Sequence, residues 1–470
     1  MSALMVQGAS SSAGKSLVAT ALARALSRRG IDVVPFKAQN MSNNARVVAG
    51  GEIGTAQYLQ ALAARVEPDV LMNPVLVKPE ADDRSQVVIL GRPDLELSLL
   101  PWRDRRRTLW PVIEESLKRL LLQHELVLLE GAGSPAEINL RDTDLANMRS
   151  ARVANARVLL VCDIDRGGAF AHLYGTWALL PPDEQELLFG FVLNKFRGDE
   201  ALLAPAPRRL EELTGVPTLG VLPWLDHGLP DEDGAAATRR RSGRPRVAVV
   251  RYPTASNLDE FKLLEQVADV RWAAGPEDLD GSSLIVLPGS KHVAADLAWL
   301  LDTGVGNEIR ARAREGRRVL GVCGGLQMLG TRLEGQSGVD GGGEGLGLLP
   351  LVTRFHVEKE TRRTRTRFHE LPAPWAGLRC KELAGYEIRH GETESIGAVA
   401  EALPGGLGFV DGPVLGVYVH GLFDQPDLVE ALMGKRPTRS LDQAFDELAD
   451  VVEERVDVRA LLAAAGVAHG

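Results

Sequence analysis

The segment GASSSAGKS, Gly8 to Ser16, constrains this chain more than any other. It follows the apolar run Leu4–Gln7 and precedes LVATALARALSRRG, an amphipathic helical pattern that closes with Arg28 and Arg29 and stops at Gly30. A glycine-rich loop between a buried strand and a helix N-terminus is a phosphate cradle, because its amides and the helix dipole both point at the anion. Gly8 and Gly14 let the backbone turn its amides inward, Lys15 reaches the terminal phosphates, and the Ser16 hydroxyl suits a Mg²⁺ ligand. The spacing, G-x5-G-K-S, is one residue longer than the common form. A polyphosphate ligand with Mg²⁺ is therefore expected at this loop.

Such a loop needs a parallel sheet around it, and the first half supplies one. Strands are expected at Leu4–Gln7, Asp32–Phe36, Leu126–Glu130, Arg157–Cys162, Phe189–Asn194 and Thr218–Leu222. They are continuous apolar runs, as parallel strands covered on both faces must be. Ligands of such sheets lie beyond the carboxyl ends of the strands. Glu130, ending LVLLE, is thus the leading carboxylate for the metal, with Asp163 and Asp165 in CDIDRGG as second choices.

Between Asp226 and Arg246 the apolar pattern collapses into a stretch rich in Gly, Pro and charge, and a new α/β pattern follows. The chain therefore divides into a phosphate-loop unit over 1–228, a linker over 229–245, a second α/β unit over 246–435, and a helical C-terminal segment over 436–470. The glycine-rich stretch Gly330–Gly347 reads as a surface loop. The formal charge of −9 argues against bulk nucleic-acid binding, and no apolar run approaches a bilayer-spanning length. With no signal-like start and three scattered cysteines, the expected setting is cytoplasmic, with no membrane partner.

In the second unit the strand RRVLGV enters Gly321-Val322-Cys323-Gly324-Gly325, the cysteine form of a nucleophile elbow. Small neighbours are required there because the turn is strained and lies close to substrate. Gly289, in LPGSKH at the end of the previous strand, is placed to offer an oxyanion-hole amide. His420, in GVYVHGLF after another buried strand, is the candidate base, with His390 as its competitor. A Cys–His pair without a metal implies thioester chemistry on an amide or ester. Cys162 and Cys380 read as small core residues.

The elbow, the LPG strand end and the downstream histidine resemble a class I glutamine amidotransferase domain. The long phosphate loop, Lys37 and Glu130-Gly131-Ala132-Gly133 resemble dethiobiotin synthetase. Joined in this order, the two units resemble the cobyrinic/cobyric acid amide synthases of cobalamin biosynthesis. The strings that carry the likeness are PFKAQNMSNNA (35–45), MNPVLVKP (72–79), EGAGSPAEINLRDTDLANM (130–148), DIDRGGAF (163–170), LNKFRGD (193–199), LPGSKH (287–292) and GYEIRHG (385–391).

The resemblance implies ATP- and glutamine-dependent amidation of the b, d, e and g carboxylates of adenosylcobyrinic acid a,c-diamide. The alternative is the sister branch, which amidates the a and c carboxylates of cobyrinic acid. A corrinoid, glutamine and ATP are then the small-molecule partners, and a homo-oligomer is compatible with the pattern. Lys37 is implied at the nucleotide phosphates and Asn194 at the base. Gln39, Asn40, Asn43, Asp142, Asp144 and Arg166 are candidates for the corrinoid, with Arg84, Arg141 and Arg149 as further cationic partners. Class I amidotransferases carry a Glu two residues after the His, but Leu422 stands there; Glu387 and Asp424 are the candidates to orient His420. A partition-type ATPase would carry a second lysine where Ala9, Ser10 and Ser11 stand. The intact Cys323, His420 and Gly289 argue against a binding module with a dead second unit.

Overall fold

A computed structural model describes residues 2–81, 84–230 and 243–467. Six apolar runs become strands: β1 (Ser2–Gly8), β2 (Val33–Phe36), β3 (Leu126–Glu130), β4 (Arg157–Asp163), β5 (Leu188–Phe196) and β6 (Thr218–Pro223). They form one sheet in the order β6-β5-β4-β1-β3-β2, with every pairing parallel. Side chains of β2 and β3 are buried throughout, which is why their sequences show no alternation. Strand order reverses direction at β1, so the crevice beyond its carboxyl end is where a ligand belongs. The phosphate loop occupies that crevice, leading into α1 (Lys15–Arg28), and α2 (Thr55–Ala64) packs beside α1.

The second unit holds β7 (Arg246–Val250), β8 (Asp269–Ala273), β9 (Leu284–Leu287), β10 (Arg318–Val322), β11 (Ala400–Leu403), β12 (Gly408–Asp411) and β13 (Val414–Val417). Their order is β8-β7-β9-β10-β13-β12-β11, parallel except for the antiparallel edge made by β12 and β11. The short helix α3 (Gly324–Leu329) follows β10, with Cys323 at the turn between them. Residues 231–242, most of the expected linker, lie outside the described residues.

Two features depart from the expected outline. Gln39–Met41, Val75–Ala81, Arg84–Ile89 and Arg92–Asp94 form a separate small sheet, and Leu351–Arg367 pairs with Glu382–Ser395 in a long antiparallel hairpin. The hairpin reads VEKETRRTRTR along its outer half, so its strand character comes from pairing, not from an apolar face. Gly330–Gly347 is not simply a surface loop: Arg332–Glu334 pairs in parallel with the hairpin, and Leu333 and Leu346 are buried.

After Pro426–Met433, the C-terminal segment returns to the first unit. There α4 (Leu441–Arg455) lies along α1, with Phe445, Leu448 and Val452 in the core they share. Arg24 is fully buried between them, paired with Asp442 and Asp446 and seated 5.6 Å from the Phe445 ring centroid. Cys162 is buried as expected, whereas Cys380 is exposed, because it sits in a left-handed turn outside the sheet. Among the described residues, no helix is long and apolar enough to cross a membrane.

Candidate active site

At the phosphate loop, Lys15 Nζ donates to the carbonyls of Ser10 (3.2 Å) and Gly133 (3.0 Å), so the lysine lies across the mouth of the loop. Gly14 has φ +96°, and a Cβ there would sit 2.1 Å from Asn194 Nδ2. Ser16 Oγ donates to Glu130 Oε1 at 2.7 Å, and Lys37 Nζ reaches the same oxygen at 2.9 Å. Gln60 of α2 donates to the other oxygen, Oε2. A hydroxyl and a carboxylate meeting beside the phosphate loop are hard oxygen donors, the pair that Mg²⁺ prefers. Gly8, Gly14, Lys15, Ser16, Lys37 and Glu130 thus converge on one crevice. Asp163 instead pairs with Lys195 at 2.8 Å.

At the elbow, Cys323 adopts φ +52°, the strain that a nucleophile on a sharp strand-to-helix turn carries. His420 follows β13 and is 1% exposed. Its Nδ1 meets Glu260 Oε1 at 3.1 Å, and Glu260 Oε2 accepts the Gly421 amide at 3.0 Å. Burial opposes the imidazolium, but the Cys323 thiolate and the Glu260 carboxylate outweigh it and raise His420 to about 10. Tyr386 stacks on the imidazole at 5.2 Å, and its backbone bridges that of His420 in both directions. A Cβ on Gly385 would lie 1.9 Å from the His420 carbonyl, which explains the glycine of GYEIRHG. Gly289 lies against the imidazole, where a Cβ would be 2.9 Å from Cε1.

The residue that orients His420 is therefore Glu260, which the sequence reading did not propose. Glu387 is engaged elsewhere, by Arg362, Thr364 and Arg389. Asp424 pairs with Arg46 of the first unit. Glu260 comes from the single turn Leu258–Phe261, more than a hundred residues before the histidine. NLDEF after β7 has no periodicity that would single it out; its polarity in a segment that proves to be buried is the one available signal. His390, the competing base, faces the same cavity as Cys323, but its Nδ1 lies against the His356 carbonyl. Burial and the neighbouring Lys359 and Lys291 push its pKa down to about 4.

A cavity of about 830 Å³ opens in front of Cys323 and His420. Asn43, Lys78, Ser85 and Gln86 of the first unit line it together with Lys291, Lys359 and Gln327 of the second. Glu52 bridges the units on one flank, contacting Lys78 and Lys359 at 2.6 and 2.5 Å.

The proposed corrinoid residues are scattered. Asn43 lines the Cys323 cavity, while Asn40 is buried against Gln57 at 3.1 Å and Gln39 is half-buried beside it. Asp144 organises the loop after β3 by accepting the amides of Ala146 and Asn147. Asn147 in turn clasps Ala132, two residues past Glu130. Arg141 pairs with Glu184, and Arg149 stacks on Trp110 at 3.8 Å. Asp142 and Arg166 are exposed. The side chain of Arg84 lies outside the described residues. Asn194 reaches the phosphate loop, where Nδ2 donates to the Ala13 carbonyl at 2.9 Å.

A phosphate-loop unit joined to a unit that sets a cysteine elbow beside a buried His–Glu pair is the architecture of a glutamine-dependent carbon–nitrogen ligase. Residues 4–229 match the CobQ/CobB/MinD/ParA nucleotide binding domain, and 246–428 match the CobB/CobQ-like glutamine amidotransferase domain. The chain is 55% identical to a cobyric acid synthase of Acidovorax sp. (strain JS42), with 97% of each chain covered. It is 53% identical to that of Variovorax paradoxus (strain S110), covering 97% of this chain and 98% of the relative. For Polaromonas sp. (strain JS666 / ATCC BAA-500) the identity is 52%, over 97% and 96%. The chain belongs to the cobyric acid synthase family and is a glutamine-dependent ligase.

Proposed function

We propose that this chain amidates the b, d, e and g carboxylates of adenosylcobyrinic acid a,c-diamide to give adenosylcobyric acid, using one glutamine and one ATP per amide. The observation that carries the reading is the cavity itself: the cysteine that frees ammonia opens onto a chamber partly walled by the ATP-binding unit. Ammonia released there is set free beside the unit that consumes it.

In the glutaminase, Cys323 Sγ attacks the side-chain carboxamide carbon, and the Gly289 amide contributes to the oxyanion hole. His420 passes its proton to the departing ammonia while Glu260 holds the imidazole in register. Water then hydrolyses the thioester to glutamate. In the synthetase, Lys15, Lys37 and the loop amides hold the ATP phosphates, and Asn194 borders the base. A substrate carboxylate displaces ADP from the γ-phosphorus to give an acyl phosphate, from which ammonia displaces phosphate. Ser16 and Glu130 would hold Mg²⁺, which when bound neutralises phosphate charge. The exposed Asp142 and Arg166, with Gln39, Asn40 and Asn43, are the candidates to discriminate among corrin carboxylates.

The test is mass spectrometry of the a,c-diamide incubated with enzyme, Mg-ATP and glutamine labelled with ¹⁵N at its amide. Four labelled nitrogens establish the reaction. Labelling of cobyrinic acid instead would assign the chain to the sister reaction.

A further inference from the structure

We propose that Arg46, a residue of the ATP-binding unit, is a positioning residue of the glutaminase, so that glutamine hydrolysis requires the two units to be in register. The inference rests on the glutaminase reading of Cys323 and His420.

Arg46 lies in the short strand Ala45–Val48 and is buried. Its guanidinium crosses the domain boundary and pairs with Asp259 through Nη2 and with Asp424 through Nη1. Asp259 immediately precedes Glu260, and Asp424 ends the turn Leu422–Asp424 that follows His420-Gly421. One cation from the other unit thus pins both segments that carry the His420–Glu260 pair. The same guanidinium stands 5.2 Å from the Tyr386 ring centroid, and Tyr386 stacks on the imidazole. Neighbouring backbone strengthens the grip: the Ala45 amide donates to Asn257 Oδ1, and the Leu258 amide donates to Asn44 Oδ1, both at 3.1 Å. Asn257 Nδ2 in turn lies 3.3 Å from His420 Nε2.

Charge explains why an arginine is needed. Glu260, which holds the histidine, has Asp259 and Asp424 as acidic neighbours, and the Asp259 and Glu260 side chains have no solvent exposure. Thr55 Oγ1 adds a hydrogen bond to Asp259 at 3.4 Å but no charge. Without the guanidinium, the carboxylates beside Glu260 would repel it and draw water or protons into the turn. Displacement of Glu260 would release the imidazole from its working orientation. Thr55 begins α2, whose Gln60 touches Glu130 at the phosphate loop, so the clamp is also mechanically continuous with the ATP site.

The experiment uses the full chain and compares wild type with Arg46→Gln, Arg46→Ala and Arg46→Lys. Glutamate release is measured with Mg-ATP and corrinoid present, and amidation driven by added ammonium is measured alongside. Arg46→Gln keeps hydrogen-bond donors and most of the volume, so it carries the test if Arg46→Ala is recovered unfolded. The expected result is a fall in glutamine-dependent kcat of about 10²-fold for Arg46→Gln. The glutamine KM should change little, because glutamine meets the Cys323 cavity and not Arg46. Ammonium-driven amidation should persist, and Arg46→Lys should recover part of the loss. A glutamine kcat for Arg46→Gln close to wild type would overturn the inference. Equal losses of glutamine- and ammonium-driven activity would overturn it too, since they would mark Arg46 as domain glue. A wild type that folds and amidates with ammonium but releases no glutamate would overturn the glutaminase reading, and this inference with it.

Discussion

Glu260 and Glu387 are a pair of acidic side chains in the same unit with opposite fates. Glu260 faces an imidazole and a single backbone amide, whereas Glu387 is saturated by two arginines and a threonine. Replacing Glu260 by Gln keeps the shape but removes the charge that stabilises and aligns the imidazolium. Glutamine-dependent turnover should then fall by about 10²- to 10⁴-fold while ammonium-driven amidation survives. Glu387→Gln should leave glutamate release within a few-fold of wild type, and equal losses in the two variants would refute this assignment. A second residue-scale prediction concerns Gly14. Its positive φ and the 2.1 Å gap to Asn194 leave no room for a methyl group. Gly14→Ala should weaken ATP binding by at least about tenfold, measured by calorimetry.

At the scale of elements, helix α4 of the C-terminal segment supports the phosphate loop from behind. It covers α1, the helix that begins at Lys15, and it brings Asp442 and Asp446 to the otherwise unpaired charge of Arg24. Its Ser440 capping box fixes where the helix starts, so Phe445 falls on the buried face. Phe445→Ala should cost about 3–5 kcal/mol in urea unfolding of the ATP-binding unit. A loss below about 1 kcal/mol would show that α4 is a dispensable appendage.

For the whole molecule, buried charge joins the two units at Arg46 beside the glutaminase and at Glu52 on the flank of the cavity. Burial works against the Glu52 carboxylate, but Lys359 and Lys78 overcome it and lower its pKa from 4.5 to about 2. A carboxyl depressed in the folded state contributes stability above its ordinary pKa, and that contribution is lost as pH falls. The window is therefore pH 4.5 down to 2. Across it, the Tm of the wild type should drop more steeply than that of Glu52→Gln, which has no such proton to take up. Parallel curves would remove Glu52 from the domain interface as a source of stability. At neutral pH Glu52→Gln should be less stable by about 3 kcal/mol, because it leaves the buried Lys78 and Lys359 without the carboxylate they share.

Much of this protein was legible as local pattern. Continuous apolar runs specify parallel strands because both faces of each are covered, and G-x5-G-K-S and G-V-C-G-G dictate their own backbones. Lys15, Ser16, Glu130, Cys323 and His420 could be named because each sits at the carboxyl end of such a strand or in the loop that leaves it. Glu260 could not be named, since its function depends on a turn meeting a histidine 160 residues away. The roles of Arg46 and Glu52 were equally hidden, because a lone charge in sequence reads as solvated surface until a second domain buries it. Cys380 is the reverse case: a small apolar residue reads as core, but the turn that carries it faces solvent. The sequence alone thus determined the two α/β patterns, the parallel strands of the first sheet and the candidate reacting residues, all of which follow from short-range patterns of polarity and backbone freedom. Only the tertiary structure decided what orients the base and what joins the units, because pairing between distant charges is set by packing and leaves no periodic trace.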